Sequence, residues 1–238
     1  MERKNSTMII EVIAYTLSDA LTAARNGADR LEVITAPAEG GLTPSLGLVQ
    51  SIRDQVDLDI RVMIRPHSRS FVYAKEDIEV MERDIASFRS LGVSGLVTGV
   101  LTPQGDVDTH ALERLLAAAD GLPFTFHRAI DEAADLGQAI HTLGQYSQIT
   151  HILTSGGRPS VLEATDIIKR LTPVAKQQGI TLLPGAGLQI DALESFLRQT
   201  SVQEFHIGSA ARQDGSILKP IDVDKLSTIR RIADRFSH

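Results

Sequence analysis

The stretch of the chain best suited to chemistry is the segment FTFHRAID. Three β-prone residues, Phe124 to Phe126, lead directly into His127 and Arg128, and Asp131 follows three residues later. An imidazole, a guanidinium and a carboxylate at the end of a buried strand are costly unless they bind a ligand or each other. The segment therefore predicts a catalytic or binding site at a strand end, with His127, Arg128 and Asp131 as its members.

Two glutamates, Glu11 and Glu32, lie within other short apolar runs. If those runs form adjacent strands, we expect the two carboxyls at matching positions in a shared pocket, where one would raise the pKa of the other. A carboxyl with a raised pKa is suited to acid–base catalysis. The alternative is a buried structural ion pair with an arginine such as Arg30, Arg65 or Arg128.

Arg65, in the segment MIRPH, is the strongest candidate for anion binding, because a guanidinium holds a carboxylate or phosphate in a two-pronged fork. A salt bridge to Glu32 or Asp84 is the alternative. His206 ends an apolar run as His127 does, and two such histidines favour a site over hydrogen-bonded core residues. They do not predict a metal centre, because no third ligand follows at a recognisable spacing.

Two glycine-containing turns, PGAG and IGSA, follow the seventh and eighth β-prone runs. Loops in these positions of a (β/α)8 barrel often bind phosphate through backbone N–H groups. The residues expected to present those groups are Gly185, Gly187, Gly208 and Ser209. Tight turns with no ligand are the alternative explanation for the glycines.

These side chains need a scaffold that gathers strand ends, and the chain has eight β-prone runs separated by helical patterns. Eight such units predict a parallel (β/α)8 barrel, the TIM barrel, whose active face is formed by the loops after the strands. We predict one domain, residues 1–238, with the barrel core at about 8–236. An open doubly wound sheet is the alternative; it normally has a glycine-rich turn after the first strand, where this chain has IAYTLSDA. The predicted strands are Met8–Val12, Arg30–Val33, Ile60–Ile64, Gly95–Val97, Pro123–Phe126, Ile149–Leu153, Thr181–Leu183 and Glu204–Ile207.

Two predicted loops, 34–45 and 65–77, are long for this fold. Long loops after barrel strands commonly act as lids. Phe71 and Tyr73 in the second loop would cover a ligand there, or alternatively plug the barrel mouth or a subunit interface.

The composition excludes several classes of function. A net charge of −6 argues against nucleic-acid binding. No apolar run approaches the roughly 18 residues of a membrane helix, and no signal peptide precedes the first strand, so we expect a cytoplasmic protein with no membrane partner. The chain has no cysteine. Disulfides, thiolate metal sites and cysteine nucleophiles are therefore excluded.

Several of these segments together resemble the CutC family of copper homeostasis proteins. The matching pieces are IIEVIA, NGADRLEV, PAEGGLTPS, MIRP, GLVTGVL, FTFHRAID, ILTSGG, LPGAGL and EFHIGSA. The resemblance implies a TIM barrel, a cytosolic homo-oligomer, and copper tolerance with Cu(I) binding. Family members often have cysteines just after strands one and two as the proposed copper ligands, where this chain has Ile13, Ala14 and Ile34. Cu(I) prefers thiolate and thioether ligands, so copper follows from the resemblance and not from these residues.

Three functions remain open at the level of sequence. The first is a copper homeostasis protein, as the resemblance implies. The second is an enzyme acting on a small anionic or phosphorylated metabolite, with isomerisation, aldol-type chemistry and hydrolysis all possible for the Glu/Arg/His set. The third is a non-catalytic ligand sensor on the same barrel.

Overall fold

The computed structural model describes residues 8–236 and contains the eight strands that the sequence predicts. Their ends differ from the prediction by one or two residues at most, mainly where a strand continues into a polar residue such as Thr98 or Thr154. The strands are β1 Ile9–Ala14, β2 Arg30–Val33, β3 Asp59–Met63, β4 Gly95–Thr98, β5 Phe124–Phe126, β6 Ile149–Thr154, β7 Thr181–Pro184 and β8 Glu204–Ile207.

The strands form one parallel sheet in the order β7-β6-β5-β4-β3-β2-β1-β8. Within residues 8–236, hydrogen-bonded ladders join consecutive strands from β1 to β7 and join β8 to β1. The remaining pair, β7 and β8, lie next to each other and close the ring by packing. The single-domain (β/α)8 barrel is therefore confirmed, and the open sheet is wrong.

Within residues 8–236, eight α-helices surround the strands. Serine and aspartate side chains cap several of them, among them Ser45, Asp108 and Asp222. Helix α1 begins after Thr16, and α7 begins after Gln189. The helices are α1 Leu17–Arg25, α2 Leu46–Arg53, α3 Lys75–Ser90, α4 Thr109–Ala119, α5 Leu136–Leu143, α6 Thr165–Gln177, α7 Ile190–Thr200 and α8 Val223–Asp234. Short 3-10 helices are Pro37–Glu39, Arg128–Glu132, Val161–Ala164, Ser209–Ala211 and Gln213–Gly215. None of the helices between residues 8 and 236 has the length and apolar content needed to cross a membrane.

The strands have an apolar outer face and carry their buried charged residues on the inner face. In β1, Ile10, Val12 and Ala14 belong to the main core, which the strands share with the helices. The intervening Glu11 and Ile13 point to the opposite, inner side, because side chains alternate along a strand. Charged residues inside strands are thus tolerated here by facing the barrel interior rather than the helix layer.

The lower half of that interior is held by a buried ion network centred on Arg30. Its Nε donates to Glu11 at 2.6 Å and its Nη2 to Glu204 at 2.6 Å, and His151 Nε2 lies 3.2 Å from the same Glu204 carboxylate. Barrel interiors are usually filled by bulky branched side chains. The network therefore replaces apolar packing with polar contacts that fix the orientation of Glu11 beneath the mouth.

Candidate functional site

A cavity of about 600 Å³ opens at the carboxyl ends of the strands. It gathers most of the residues singled out from the sequence. Those that line it are Glu32, Arg65, His127, Arg128, Asp131, His206, Gly187, Gly208 and Ser209. Glu11 and Gly185 do not border the cavity. Their positions beneath and beside it are explained by strand register and packing.

Glu11 is one layer deeper in the barrel than Glu32. In the ladder between β1 and β2, Glu11 pairs with Arg30, and Glu32 pairs with Ile13. The expectation that the two glutamates occupy matching positions is wrong, because neighbouring barrel strands are staggered. Glu11 instead forms the predicted alternative, an ion pair with Arg30. Burial alone would raise the pKa of Glu11, but the charge of Arg30 and a hydrogen bond from His206 outweigh it and hold that pKa well below its usual value.

His206 lies between the two glutamates. Its Nδ1 is 2.7 Å from Glu11 Oε1, and its Nε2 is 3.8 Å from Glu32 Oε2. Burial favours the neutral imidazole, but the charge of Glu32 and the contact with Glu11 prevail and raise the pKa of His206. His206 therefore links Glu11 to Glu32, and the three titratable groups form a series that ends at Glu32 on the cavity floor.

Among the three linked groups Glu11, His206 and Glu32, it is Glu32 that has an oxygen without a hydrogen-bond partner. Its Oε1 is buried and has no hydrogen-bond partner in the part of the protein that the structure describes. Burial raises the pKa of Glu32 to about 7, with the charge of Glu11 acting in the same direction against the attraction of His206 and Arg30. A cavity-lining carboxyl that is half-ionised near neutral pH and has an oxygen without a hydrogen-bond partner can take up or release a proton.

His127 lines the cavity and has one ring nitrogen without a partner among the described residues. Its Nδ1 accepts the backbone N–H of Ala129 at 3.1 Å, so the proton of the neutral ring resides on Nε2. Nε2 is buried and finds no acceptor within residues 8–236. Burial, together with the charges of Arg65 and Arg128, lowers the pKa of His127 to about 3. His127 is thus a neutral donor across the physiological pH range, and not a base.

Arg65 is buried at the cavity wall without a counter-ion among the described residues. Its Nη1 donates to the backbone carbonyls of Glu39 and Gly41 at 2.9 and 3.1 Å. The predicted alternative, a salt bridge to Glu32 or Asp84, is not formed. Nε is buried with no acceptor in the described chain. The Nε–Nη2 edge, which binds carboxylates side-on, is therefore not used by a protein carboxylate.

Phe71 brings the two donors together. The Arg65 guanidinium carbon lies 4.7 Å from the centre of the Phe71 ring, and the His127 ring centre lies 5.0 Å from it. Tyr73 is close by, and burial raises the pKa of its hydroxyl to about 12 despite the charge of Arg65. The loop after β3 therefore supplies side chains to the barrel mouth. Whether it moves as a lid stays a prediction.

Asp131 and Arg128 form a separate hydrogen-bonded cluster on the cavity wall. Asp131 accepts Thr154 Oγ1 at 2.5 Å, the backbone N–H groups of Ser155 and Gly157, and Arg128 Nε at 2.9 Å. Its carboxylate oxygens are thus fully used by the protein. Asp131 positions Arg128 and the loop after β6. Thr154 is the last residue of β6, and Ser155 follows it.

The four expected phosphate-binding residues divide into two groups. A Cβ at Gly185 would meet Leu153 Cδ1 at 2.8 Å and His206 Cβ at 3.0 Å, so this glycine makes room for the site. Gly187 has a φ of +78° and touches Ser160. Packing and turn geometry therefore explain these two glycines, and phosphate binding at Gly208 and Ser209 stays a prediction.

The structure also brings together three side chains of the kind that bind metals. One donor atom from each of Glu11, Glu32 and His206 lies within 4.8 Å of the others. The sequence predicts no metal centre, since these residues lie far apart along the chain. Both oxygens of Glu11 already bind Arg30 and His206 at 2.6 and 2.7 Å. A cation would have to displace that internal ion pair.

Comparison with known proteins decides the family. The model of the CutC family matches residues 8–211. The chain belongs to the CutC family. A CutC family protein of Salmonella enteritidis is 41% identical over 198 residues, which cover 83% of this chain and 78% of the relative. The crystal structure of a CutC copper homeostasis protein from Streptococcus agalactiae is 30% identical, covers 84% of this chain and 97% of that one, and superposes with a TM-score of 0.79.

More distant structures share the barrel alone with this CutC chain. Phosphoribosyl anthranilate isomerase from Thermotoga maritima superposes with a TM-score of 0.62 at 14% identity, over 95% of this chain and 98% of that one. Thiamine phosphate pyrophosphorylase from Pyrococcus furiosus gives 0.64 at 11% identity, over 97% and 98% of the two chains. At these identities the likeness extends to the fold and no further.

Copper, which the name of the CutC family implies, does not fit the donors of this chain. There is no cysteine, and there are four methionines in the whole sequence. Of these, Met63 lines the cavity beside Ile13 and Ile34, which are apolar. The clustered donors are two carboxylates and one imidazole, whereas Cu(I) is held by soft thiolate and thioether ligands.

Proposed function

We propose that this chain is an enzyme that transfers a proton on a small organic anion bound in the cavity. The observation that carries the proposal is the state of Arg65, a buried guanidinium with no described counter-ion and an unused Nε. Burying a charge without a partner is costly. A bound anion would remove that cost, and it would lie in the same cavity as a carboxyl whose pKa is about 7.

The surrounding groups divide the chemistry between them. Arg65 holds the anion, and the Nε2–H of His127 donates to an oxygen of the substrate. Glu32 takes a proton from the substrate, or returns one, through its free Oε1. His206, fixed by Glu11, stabilises the ionised form of Glu32 and can exchange a proton with it.

Copper homeostasis is the second candidate because the family name states it. The donor set argues against Cu(I), and no step of the proposed chemistry uses a metal. Titration with Cu(I) against a competing chelator separates the two candidates. If the chelator removes all of the copper, the copper function has no support from this chain. Tight binding of one equivalent of Cu(I) would favour the copper function.

A thermal-shift screen of small organic acids tests the anion site. We expect hits that stabilise the wild type, and also Arg69→Met as a matched control, since Arg69 is exposed in the same loop. The same acids should not stabilise Arg65→Met. Equal stabilisation of all three proteins would place the ligand elsewhere and refute the role of Arg65.

Deuterium incorporation then tests the chemistry. Each hit is incubated with protein in D2O, and exchange of a carbon-bound proton is followed by NMR. We expect exchange with the wild type and with Glu39→Gln, an exposed glutamate at the same cavity, but not with Glu32→Gln. Bound ligands that neither exchange nor turn over would show a sensor instead of an enzyme.

A further inference from the structure

The side chains around the cavity are divided by polarity. The polar wall follows β3, β5 and β6 and includes Arg65, His127, Arg128, Asp131 and Arg158, with the apolar Met63 and Phe71 on the same side. The apolar wall comes from β1, β6 and the loops after β7 and β8, and consists of Ile13, Leu153, Leu188, Ala210 and Ile217. Such a division favours a ligand that is charged at one end and apolar along its body.

The loops after β7 and β8 contribute no basic side chain to the described lining of the cavity. Their lining residues are Ala186, Gly187, Leu188, Ile207, Gly208, Ser209, Ala210 and Ile217. A Cβ built on Gly208 would lie 3.0 Å from Ile13 Cδ1 and 3.3 Å from Ile217 Cδ1. Two isoleucine side chains thus lie against Gly208 and make this part of the mouth apolar.

Ile217 is held in place by the chain on either side of it. Arg212 is fully buried and donates to the carbonyl of Lys219 at 2.8 Å and to Asp19 at 3.2 Å. A β-bridge joins Arg212 to Ile221. The segment from Arg212 to Ile221 is therefore a closed loop, and Ile217 belongs to a formed wall.

We propose that the ligand is a carboxylic acid with an aliphatic or aromatic body. Its carboxylate binds the guanidinium of Arg65, and its body lies against the apolar wall. The charged group is thus on the β3 side of the mouth, opposite the loops where barrels often hold phosphate. This inference rests on the proposed function and specifies its substrate class; Glu32 and His206 would then meet the middle of the molecule.

Calorimetric titration of the full chain with acetate, hexanoate and inorganic phosphate tests the inference. Each buried methylene raises affinity about fourfold, so hexanoate should bind at least roughly tenfold tighter than acetate even with partial burial. Arg65→Met should lose both carboxylates. Ile217→Ser should reduce the advantage of hexanoate over acetate. Leu218→Ser is the matched control, since Leu218 is 63% exposed and does not line the cavity.

The outcomes separate this inference from the proposed function. If acetate and hexanoate bind equally, and both require Arg65, the anion site stands and the apolar body is refuted. The apolar body is also refuted if phosphate binds tighter than hexanoate, or if Leu218→Ser lowers the affinity for hexanoate as much as Ile217→Ser does. If no carboxylate binds, the anion site itself falls and both proposals fall with it.

Discussion

Replacement of Glu32 by glutamine tests the acid–base assignment without knowledge of the substrate. The pKa of Glu32 is raised from 4.5 to about 7 in the folded protein. The folded carboxyl keeps its proton over a pH range in which the unfolded chain has lost it. The wild type therefore loses stability as pH rises from about 4.5 through about 7, and the cost is fully present above that range. Glutamine does not titrate, so the variant lacks this loss.

The expected size of the effect follows from the two pKa values. From about pH 5 to about pH 8, the shift to about 7 should cost the wild type about 2–3 kcal/mol of unfolding free energy. The stability of Glu32→Gln relative to the wild type should rise by that amount. The packing change caused by the amide is present at both pH values and cancels in the comparison. The charge of Glu32 also raises the pKa of His206 in the wild type. The variant lacks this effect, which adds to the rise in its relative stability with pH.

Urea unfolding at the two pH values measures this difference, provided that the dependence on urea is the same for both proteins. Glu39→Gln is the control because Glu39 is exposed at the same cavity, and it should show no such change. A relative stability of Glu32→Gln that stays constant within about 0.5 kcal/mol would mean that the carboxyl is ionised throughout. The acid–base role proposed for Glu32 would then be refuted.

Three further substitutions probe how the site is supported. Arg212→Met leaves Asp19 buried without its counter-ion and should cost about 3–5 kcal/mol in urea unfolding; a loss below about 1 kcal/mol would contradict a structural pair. Gly185→Ala adds a methyl 2.8 Å from a leucine carbon and should lower the unfolding free energy by about 1–3 kcal/mol. Its control, Gly47→Ala, lies in open space on a helix and should stabilise the protein by about 0.5–1 kcal/mol. Equal effects of the two substitutions would refute the packing argument. The folded pKa of about 3 makes the wild type lose stability as pH falls below about 6.5. His127→Gln should therefore lose about 2 kcal/mol less unfolding free energy than the wild type on going to about pH 5. An unchanged pH profile would show that the ring is not buried in its neutral form.

Several site residues were recognisable because they interrupt apolar strands. His127, Arg65 and His206 each stand at or near the end of such a run, and the alternation of side chains in a strand places them on the inner face. The buried partners at the bottom of the barrel were missed. Glu204 and His151 lie at strand positions and form part of the network around Arg30, but their spacing in the sequence does not distinguish a buried structural ion network from exposed charges.

The sequence by itself determined the number of strands, their order along the chain, and which side chains point away from the helices, because these depend on local periodicity. It also determined that no thiol is available for copper. The tertiary structure alone decided that Glu11 lies a layer below Glu32 and binds a histidine 195 residues away. It also decided that the guanidinium of Arg65 meets backbone carbonyls and, within residues 8–236, no carboxylate. The stagger between strands and the pKa of each buried group are set by the closure of the whole ring, and no single segment carries that information.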